Sequence, residues 1–302
     1  STFAHSKPSG MTGLVMNTRR APFDDIRVRE ALIAAFNFEY INETLTGGAQ
    51  PRITSYFSNS PLAMQDGPAT GRVAELLTPF ADDLPAGALD GYALPVSDGS
   101  ARNRAGIRRA MGALADAGFS ADGGTMRGPD GQPLSFSILL SKGSSENIAI
   151  AELYIQALAR LGITARVDAV DDAQFVARNA AFDFDMAIFR RALSLSPGNE
   201  QRYYWGSEAA DQEGSRNLMG VKSPAIDAMI DTMVGASSAE DFTAATRALD
   251  RVLTAGRYVI PFWQFTEDRI AHVAAMKYPS HVPLYGDGPN YMPEVWWIEP
   301  AQ

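Results

Sequence analysis

The chain has 302 residues, 46% hydrophobic and 20% charged, a composition typical of a globular protein with one large or two ordinary domains. Its net charge of −9 argues against nucleic acid and anionic membrane surfaces as partners, because both attract proteins through a basic footprint. The absence of cysteine excludes thiol catalysis, disulfides and thiolate metal sites.

The first regular segment is extended, runs from Met11 to Thr18, and leads into a helix. The residues before it, STFAHS, lack the basic and apolar regions of a signal peptide, so we expect Ser1 to be a cut end. Asp24 or Asp25 suits the N-cap of the helix. The helix is predicted from apolar residues at helical spacing, which are Val28, Ala31, Leu32, Ala35 and Phe36.

A second helix over residues 37–45, ended by two glycines, precedes a long irregular region. Residues 50–99 are rich in proline and glycine, and only residues 73–77 among them are expected to be helical. The next helix ends at Gly118, and its apolar positions are Ile107, Ala110, Met111 and Leu114.

The clearest pattern is a strand–helix–strand–helix–strand run between residues 134 and 188. Residues alternate between apolar and polar over 134–140, 163–169 and 182–188, which predicts three strands. Ala151, Tyr154 and Leu158 mark the first crossover helix, and Asp171 or Asp172 caps a second helix that continues to residue 179. This order predicts an α/β fold with an at least partly parallel sheet and right-handed crossovers.

The last third begins with a second irregular segment, residues 194–222, in which aromatic and charged residues are mixed. Ser223 and Pro224 then begin a helix, and Ser238 caps the next one. Residues 258–265 are predicted to form a strand broken by Pro261, and the tail is irregular and aromatic.

No motif in this sequence brings catalytic groups together. The histidines His5, His272 and His281 have no metal-ligand spacing, and neither a nucleophile elbow nor a P-loop is present. Asp183 and Asp185 alternate with apolar residues, so we interpret them as the polar face of the third strand rather than as a carboxylate pair. The sequence therefore favours a binding protein over an enzyme.

The segment directly after the third strand has the composition of a binding site. Ligand sites form outside the carboxyl ends of such strands, and residues 196–206 (SPGNEQRYYWG) follow one. Arg202 suits a carboxylate, Glu200 suits a cationic amine, and the aromatic residues suit stacking, although they equally fit a small core under the loop. Arg190 and Arg191 lie at the end of the strand.

Several motifs along the chain resemble the family 5 extracellular solute-binding proteins, the peptide- and nickel-binding class of ABC importers. The resemblance is greatest to the subgroup for oligopeptides and the peptide-like antibiotic microcin C. It is carried, in order, by GLVMNTRRAPFDDIRVREAL at 13–32, TSYFSNS at 54–60, LSPGNEQR at 195–202, GSRN at 214–217, KSPAID at 222–227 and YVIPFW at 258–263.

This resemblance implies a lobe of the periplasmic-binding type II fold in a chain that is the C-terminal part of a two-lobed protein. It assigns residues 1–17 to the end of the first lobe and the crossover, residues 18–262 to the second lobe, and residues 263–302 to a return segment of the first lobe. Peptide binders of the family commonly hold the amino end of the ligand with an aspartate in the stretch matching 195–200. Here that stretch contains Glu200 instead.

The implied function is capture of an oligopeptide or peptide-like solute outside the cytoplasm and delivery to ABC permease subunits, without a metal or cofactor. Export would use a signal peptide that is not part of this chain, and the chain could self-associate through the exposed lobe interface. The ligand-binding residues are predicted to be Asn17, Arg19, Tyr56, Arg190, Arg191, Asn199, Glu200, Arg202, Tyr203, Trp205, Asn217 and Trp263. The alternatives are another solute, such as a nickel chelate, a glycan or a siderophore, a hydrolase on a similar scaffold, or an interaction protein without a small ligand.

Overall fold

The computed structural model describes residues 1–281, 283–286 and 292–299. Its strands are β1 (Thr2–Ala4), β2 (Met11–Met16), β3 (Ser120–Asp122), β4 (Thr125–Arg127), β5 (Ser135–Ser141), β6 (Thr164–Val170), β7 (Met186–Arg191), β8 (Val259–Pro261), β9 (Glu267–Arg269), β10 (Met276–Lys277) and β11 (Trp297–Ile298). Its α-helices are α1 (Ile26–Ala35), α2 (Phe38–Thr46), α3 (Gly71–Leu77), α4 (Arg104–Asp116), α5 (Ser145–Ala159), α6 (Asp172–Ala180), α7 (Gln201–Trp205), α8 (Pro224–Val234), α9 (Ala239–Ala255) and α10 (Met292–Val295). Short 3-10 helices cover Thr78–Phe80 and Ser207–Asp211.

A mixed five-stranded sheet with the order β6-β5-β7-β2-β8 forms the centre of the fold. Strand β5 runs parallel to both β6 and β7, as the strand–helix pattern predicted. Strand β2 runs antiparallel to its neighbours β7 and β8. The α/β class with a mixed sheet is therefore confirmed.

Both faces of the sheet are covered, although the alternating sequence pattern predicted one polar face. In the middle of β5, Ser137, Ile138 and Leu139 are all buried. One face packs against a core that includes residues of α1, α4 and α5, and the other against residues of α8 and α9. A strand between two layers of helices loses its solvated face, which explains the difference.

Helix ends follow the predicted capping chemistry. The side chains of Asp25, Asp171, Ser223 and Ser238 accept hydrogen bonds from backbone N–H groups in the first turns of α1, α6, α8 and α9. Gly47 ends α2 with a φ of 67°, a left-handed conformation that glycine adopts without a steric penalty. These helices are confirmed.

The third predicted strand begins later than its alternation indicated. Residue Phe182 has a φ of 53°, so the chain turns there and β7 starts only at Met186. Asp183 and Asp185 precede the strand and bind Arg20 at 2.8 and 3.0 Å, so the prediction that they share a strand face is wrong. The hairpin of β3 and β4 and the helix α7 also lie in segments whose sequence predicted no regular structure.

The two ends of the chain form small sheets outside the central one. Strand β1 pairs with β9, and β10 pairs with β11, all antiparallel. Strand β2 instead lies between β7 and β8, so residues 11–16 pack with the main body. The lobe boundaries at 17 and 263 stay predictions, and residues 282, 287–291 and 300–302 of the predicted return segment lie outside the described residues.

Candidate functional site

Strands β5 and β7 separate toward the carboxyl edge of the sheet. Within the described residues, β5 pairs with β7 only at Ile138–Met186 and Leu139–Ala187, so the end of β7 diverges from β5. Strand β2 begins at this same edge, where Met11 pairs with Arg191. An edge at which parallel strands end and separate is the common place for a ligand site in α/β sheets.

A pocket of about 350 Å³, here called the β7 pocket, lies between the end of β7, helix α6 and the segment after α7. It is lined by Phe175, Val176, Asn179, Ala180, Ile188, Phe189, Arg190, Tyr204, Gly214, Ser215, Arg216 and Leu218. Aromatic and aliphatic side chains make up most of this lining. Such a pocket fits the apolar part of a small ligand, whose orientation a few polar groups then fix.

The polar side chains of the β7 pocket are two arginines, one amide and the hydroxyls of Tyr204 and Ser215. Among the described residues, neither Arg190 nor Arg216 forms an ion pair, and the lining contains no carboxylate. Asn179 donates from Nδ2 to the carbonyl of Phe175 at 2.9 Å, while its buried Oδ1 accepts no hydrogen bond from the described residues. The pocket therefore offers a ligand two cations and the Asn179 Oδ1 acceptor, in addition to the hydroxyls of Tyr204 and Ser215.

Beside the pocket, Arg191, Tyr204 and Glu200 form a charged and aromatic cluster. The guanidinium of Arg191 lies 3.7 Å from the ring centroid of Tyr204 and 4.0 Å from Glu200 Oε1. Burial opposes ionisation of Glu200, but hydrogen bonds, chiefly from the Gly198 N–H, outweigh it and lower its pKa. Glu200 thus remains a carboxylate and, 48% exposed, can still meet a cation.

Other predicted residues of this loop are occupied by neighbours. Arg202 pairs with Asp231 on α8 and donates from Nε to Asn199 Oδ1 at 2.8 Å. Tyr203 donates from its hydroxyl to the carbonyl of Gly214 at 2.6 Å. These side chains are exposed, but their polar groups already have partners within the loop.

Trp205, Asn217 and Tyr56 are buried beneath the loop. Trp205 donates from Nε1 to Gln201 Oε1 at 2.6 Å, and its ring contacts Tyr56 edge-on at 5.2 Å. Asn217 donates to the carbonyls of Gly206 and Val221 and accepts from the Val221 N–H. In this structure they brace the loop and present little surface to a solute.

Asn17 and Arg19 lie at the opposite end of the sheet. Asn17 is buried and donates to the carbonyls of Phe182 and Phe184 at 3.0 and 2.9 Å. Arg19 donates to backbone carbonyls of residues 210, 217 and 218, and burial lowers its pKa to about 10. Trp263 is buried in the core beside Phe262. The β7 pocket contains none of these three residues.

The pocket also contains residues that were not predicted. Phe175 and Asn179 lie one turn apart on α6, and Arg216 lies in the GSRN motif at 214–217. The motif was visible in the sequence, but its position beside α6 depends on a long-range contact. Gly214 makes that contact by donating its N–H to the carbonyl of Ala180 at 2.8 Å.

The sequence profile of the bacterial extracellular solute-binding proteins, family 5, matches residues 2–213, more than half of the chain. The chain belongs to this family. The resemblance found in the sequence is therefore confirmed.

Two of the curated relatives are proteins of Agrobacterium fabrum. The peptidoglycan-binding protein YepA of Agrobacterium fabrum is 40% identical over 291 residues, which cover 96% of this chain and 46% of YepA. The probable peptide-binding protein YejA of the same organism is 39% identical over 289 residues, covering 95% of this chain and 46% of YejA. The chain thus spans about half the length of the curated relatives it matches.

A solved structure with the same fold is the oligopeptide-binding protein AppA from Bacillus subtilis, in complex with a nonapeptide. It superposes with a TM-score of 0.70 over 99% of this chain and 52% of AppA, at 17% sequence identity. At this identity the likeness supports the family 5 fold alone. Among the described residues, no helix is both long and apolar enough to cross a membrane.

Proposed function

We propose that this chain is part of the solute-binding component of an ABC importer that captures an oligopeptide or peptide-like solute outside the cytoplasm. The observation that carries the proposal is the β7 pocket, whose apolar walls and two unpaired arginines lie beside the ionised Glu200. The names of YepA, YejA and AppA, which refer to peptidoglycan or peptides, support the same class of solute.

The pocket suggests how a peptide is held. An apolar side chain of the solute would pack against Phe175 and Leu218, and a carboxylate would pair with Arg190 or Arg216. Glu200 would meet an amine, in place of the aspartate common in the family. A second lobe would close over the solute, because contacts that the solute makes only in the closed form favour closure. The closed form would then dock on permease subunits.

The test is isothermal calorimetry of the full-length protein with a broad mixture of short peptides. We expect binding, and we expect the double variant Arg190→Gln/Arg216→Gln to lose at least about tenfold in affinity, since a charge-assisted hydrogen bond contributes ~1.5–3 kcal/mol. The control Arg127→Gln/Arg166→Gln removes two charges outside the pocket lining and should bind like the wild type.

Absence of heat with any peptide would contradict the peptide proposal. The same titrations with a nickel–histidine chelate, a glycan or a siderophore would then identify another solute class. Equal affinity of the pocket variant and the control would show that the solute does not bind in the β7 pocket.

A further inference from the structure

A groove at the other end of the sheet is lined almost entirely by arginines. It has a volume of about 680 Å³, and its lining residues are Arg102, Arg104, Ile107, Arg108 and Arg160. We call it the arginine groove. It lies where α4 begins and α5 ends, and Arg160 donates to the carbonyl of Ala101 across it.

The charges of the arginine groove are not compensated. Among the described residues, none of its four arginines forms an ion pair, and the first turn of α4 contains no acidic residue. The pKa of Asp98 is lowered chiefly by hydrogen bonds from Ser100 and to a smaller extent by the charge of Arg104. Asp98 forms no ion pair with Arg104 among the described residues. This is unusual in a chain with 35 acidic and 26 basic residues.

This arrangement works against folding. Guanidinium groups around one groove repel each other, and Arg104 adds positive charge at a helix N-terminus, where the helix dipole is already positive. Local arrangements that oppose stability are expected where a protein has a function to perform. An anion with several charges would offset this repulsion, because planar guanidinium groups pair bidentately with carboxylates.

The shape and the apolar contacts of the groove favour a peptide segment as that anion. Ile107 lines the groove, and Met111, 46% exposed, follows one turn later on α4. A simple phosphate ion has no apolar part to cover these side chains, whereas a peptide segment has one. We propose that the arginine groove is a docking surface for an acidic segment of a partner protein.

The groove is separate from the proposed solute site. Helix α5 returns from the carboxyl edge of β5 to its amino edge, and Arg160 follows the last turn of that helix. The seven residues of β5 span about 20 Å between the two edges. A partner in the arginine groove would therefore leave the β7 pocket accessible, and the inference does not depend on the identity of the solute.

The experiment measures binding of a fluorescent hexaglutamate peptide to the 302-residue chain by anisotropy, at low and moderate salt. We expect saturable binding that weakens with salt, and a loss of at least about tenfold in the double variant Arg104→Gln/Arg108→Gln. Glutamine is a good helix former and both positions are exposed, so α4 should remain folded, which circular dichroism checks. The matched control Arg166→Gln/Arg269→Gln removes two exposed charges elsewhere and should bind like the wild type.

Three results would overturn the proposal. The first is equal loss in the control, which would show a general charge effect. The second is loss in Arg190→Gln/Arg216→Gln but not in the groove variant, which would place the peptide in the solute site. The third is absence of peptide binding, whether or not inorganic phosphate or phosphatidylglycerol vesicles bind. Solute titrations of the groove variant keep this outcome distinct from failure of the proposed function.

Discussion

Single buried residues hold the long loops of this protein in place. The buried carboxylate of Asp250 on α9 accepts hydrogen bonds from Ser55 Oγ at 2.7 Å and from the backbone N–H groups of Tyr56 and Met64 at 2.7 and 2.9 Å. The neighbouring Arg251 donates to backbone carbonyls of residues 65, 67, 88 and 89. Two adjacent residues thus anchor much of the irregular region 50–99.

The carboxylate of Asp185 gives a prediction at the same scale. Burial opposes its ionisation, but hydrogen bonds from Ser137 and Arg20 outweigh burial and lower its pKa. A lowered pKa stabilises the folded state above the unfolded pKa of about 3.9, and this contribution is lost as pH falls through the folded value. We expect Asp185→Asn to lower the free energy of unfolding by about 1.5–3 kcal/mol at neutral pH.

Urea unfolding at several pH values measures this difference. The gap between wild type and Asp185→Asn should narrow below about pH 4. The control Asp183→Asn removes another carboxylate bound to Arg20, but one that is 58% exposed, so its effect should stay within ~1 kcal/mol. A gap that does not change with pH would refute the role given to the charge of Asp185.

At the scale of elements, the sequence predicted those helices and strands whose formation depends on neighbouring residues. Capped helices such as α8 and the parallel strands β5 and β6 were found from capping residues and apolar spacing. The predicted start of β7 was too early, because the alternation of apolar and polar residues continued through a turn at Phe182. The β7 pocket could not be assembled from sequence, since its walls come from α6, β7 and a loop brought together by tertiary contacts.

The contact between β2 and β8 gives a prediction at this scale. A Cβ atom on Gly13 would lie 2.0 Å from the carbonyl oxygen of Ile260, so the two backbones approach too closely for any larger residue. We expect Gly13→Ala to lower the free energy of unfolding by about 3 kcal/mol. Chemical denaturation with a fluorescence readout measures the change.

The comparison variant is Gly112→Ala on the exposed side of α4, where a Cβ would meet no atom within 4 Å. It should stabilise the protein by about 0.5–1 kcal/mol, because alanine favours the helix. If Gly13→Ala proved as mild as Gly112→Ala, the close pairing of β2 and β8 would be incorrect.

For the whole molecule, six of the twelve large apolar side chains exposed among the described residues lie from residue 265 onward. Phe265, Val273 and Ile298 are 63%, 65% and 66% exposed, and all lie beyond the central sheet in the segment predicted to return to the first lobe. Leu284 and Trp297 add to the same segment. Exposed apolar side chains grouped in one segment are typical of an interface.

We therefore expect the 302-residue chain to self-associate through this segment. Sedimentation velocity should show a concentration-dependent dimer fraction, which Phe265→Ser/Val273→Ser decreases because it removes apolar area. The control Val96→Ser/Val234→Ser removes exposed valines elsewhere and should leave the fraction unchanged. A chain that stays monomeric at all concentrations would contradict this expectation.

The central position of β2 has a consequence for biosynthesis. Gly13 pairs with Phe189 on one side and with Pro261 on the other. At a translation rate of about 5–20 residues per second, the second partner leaves the ribosome roughly 10–50 s after Gly13. During that interval the apolar strand β2 has at least one unsatisfied edge in the nascent chain. The central sheet is therefore completed last around the strand of it that is made first. A chaperone that shelters β2 would raise the yield of folded protein.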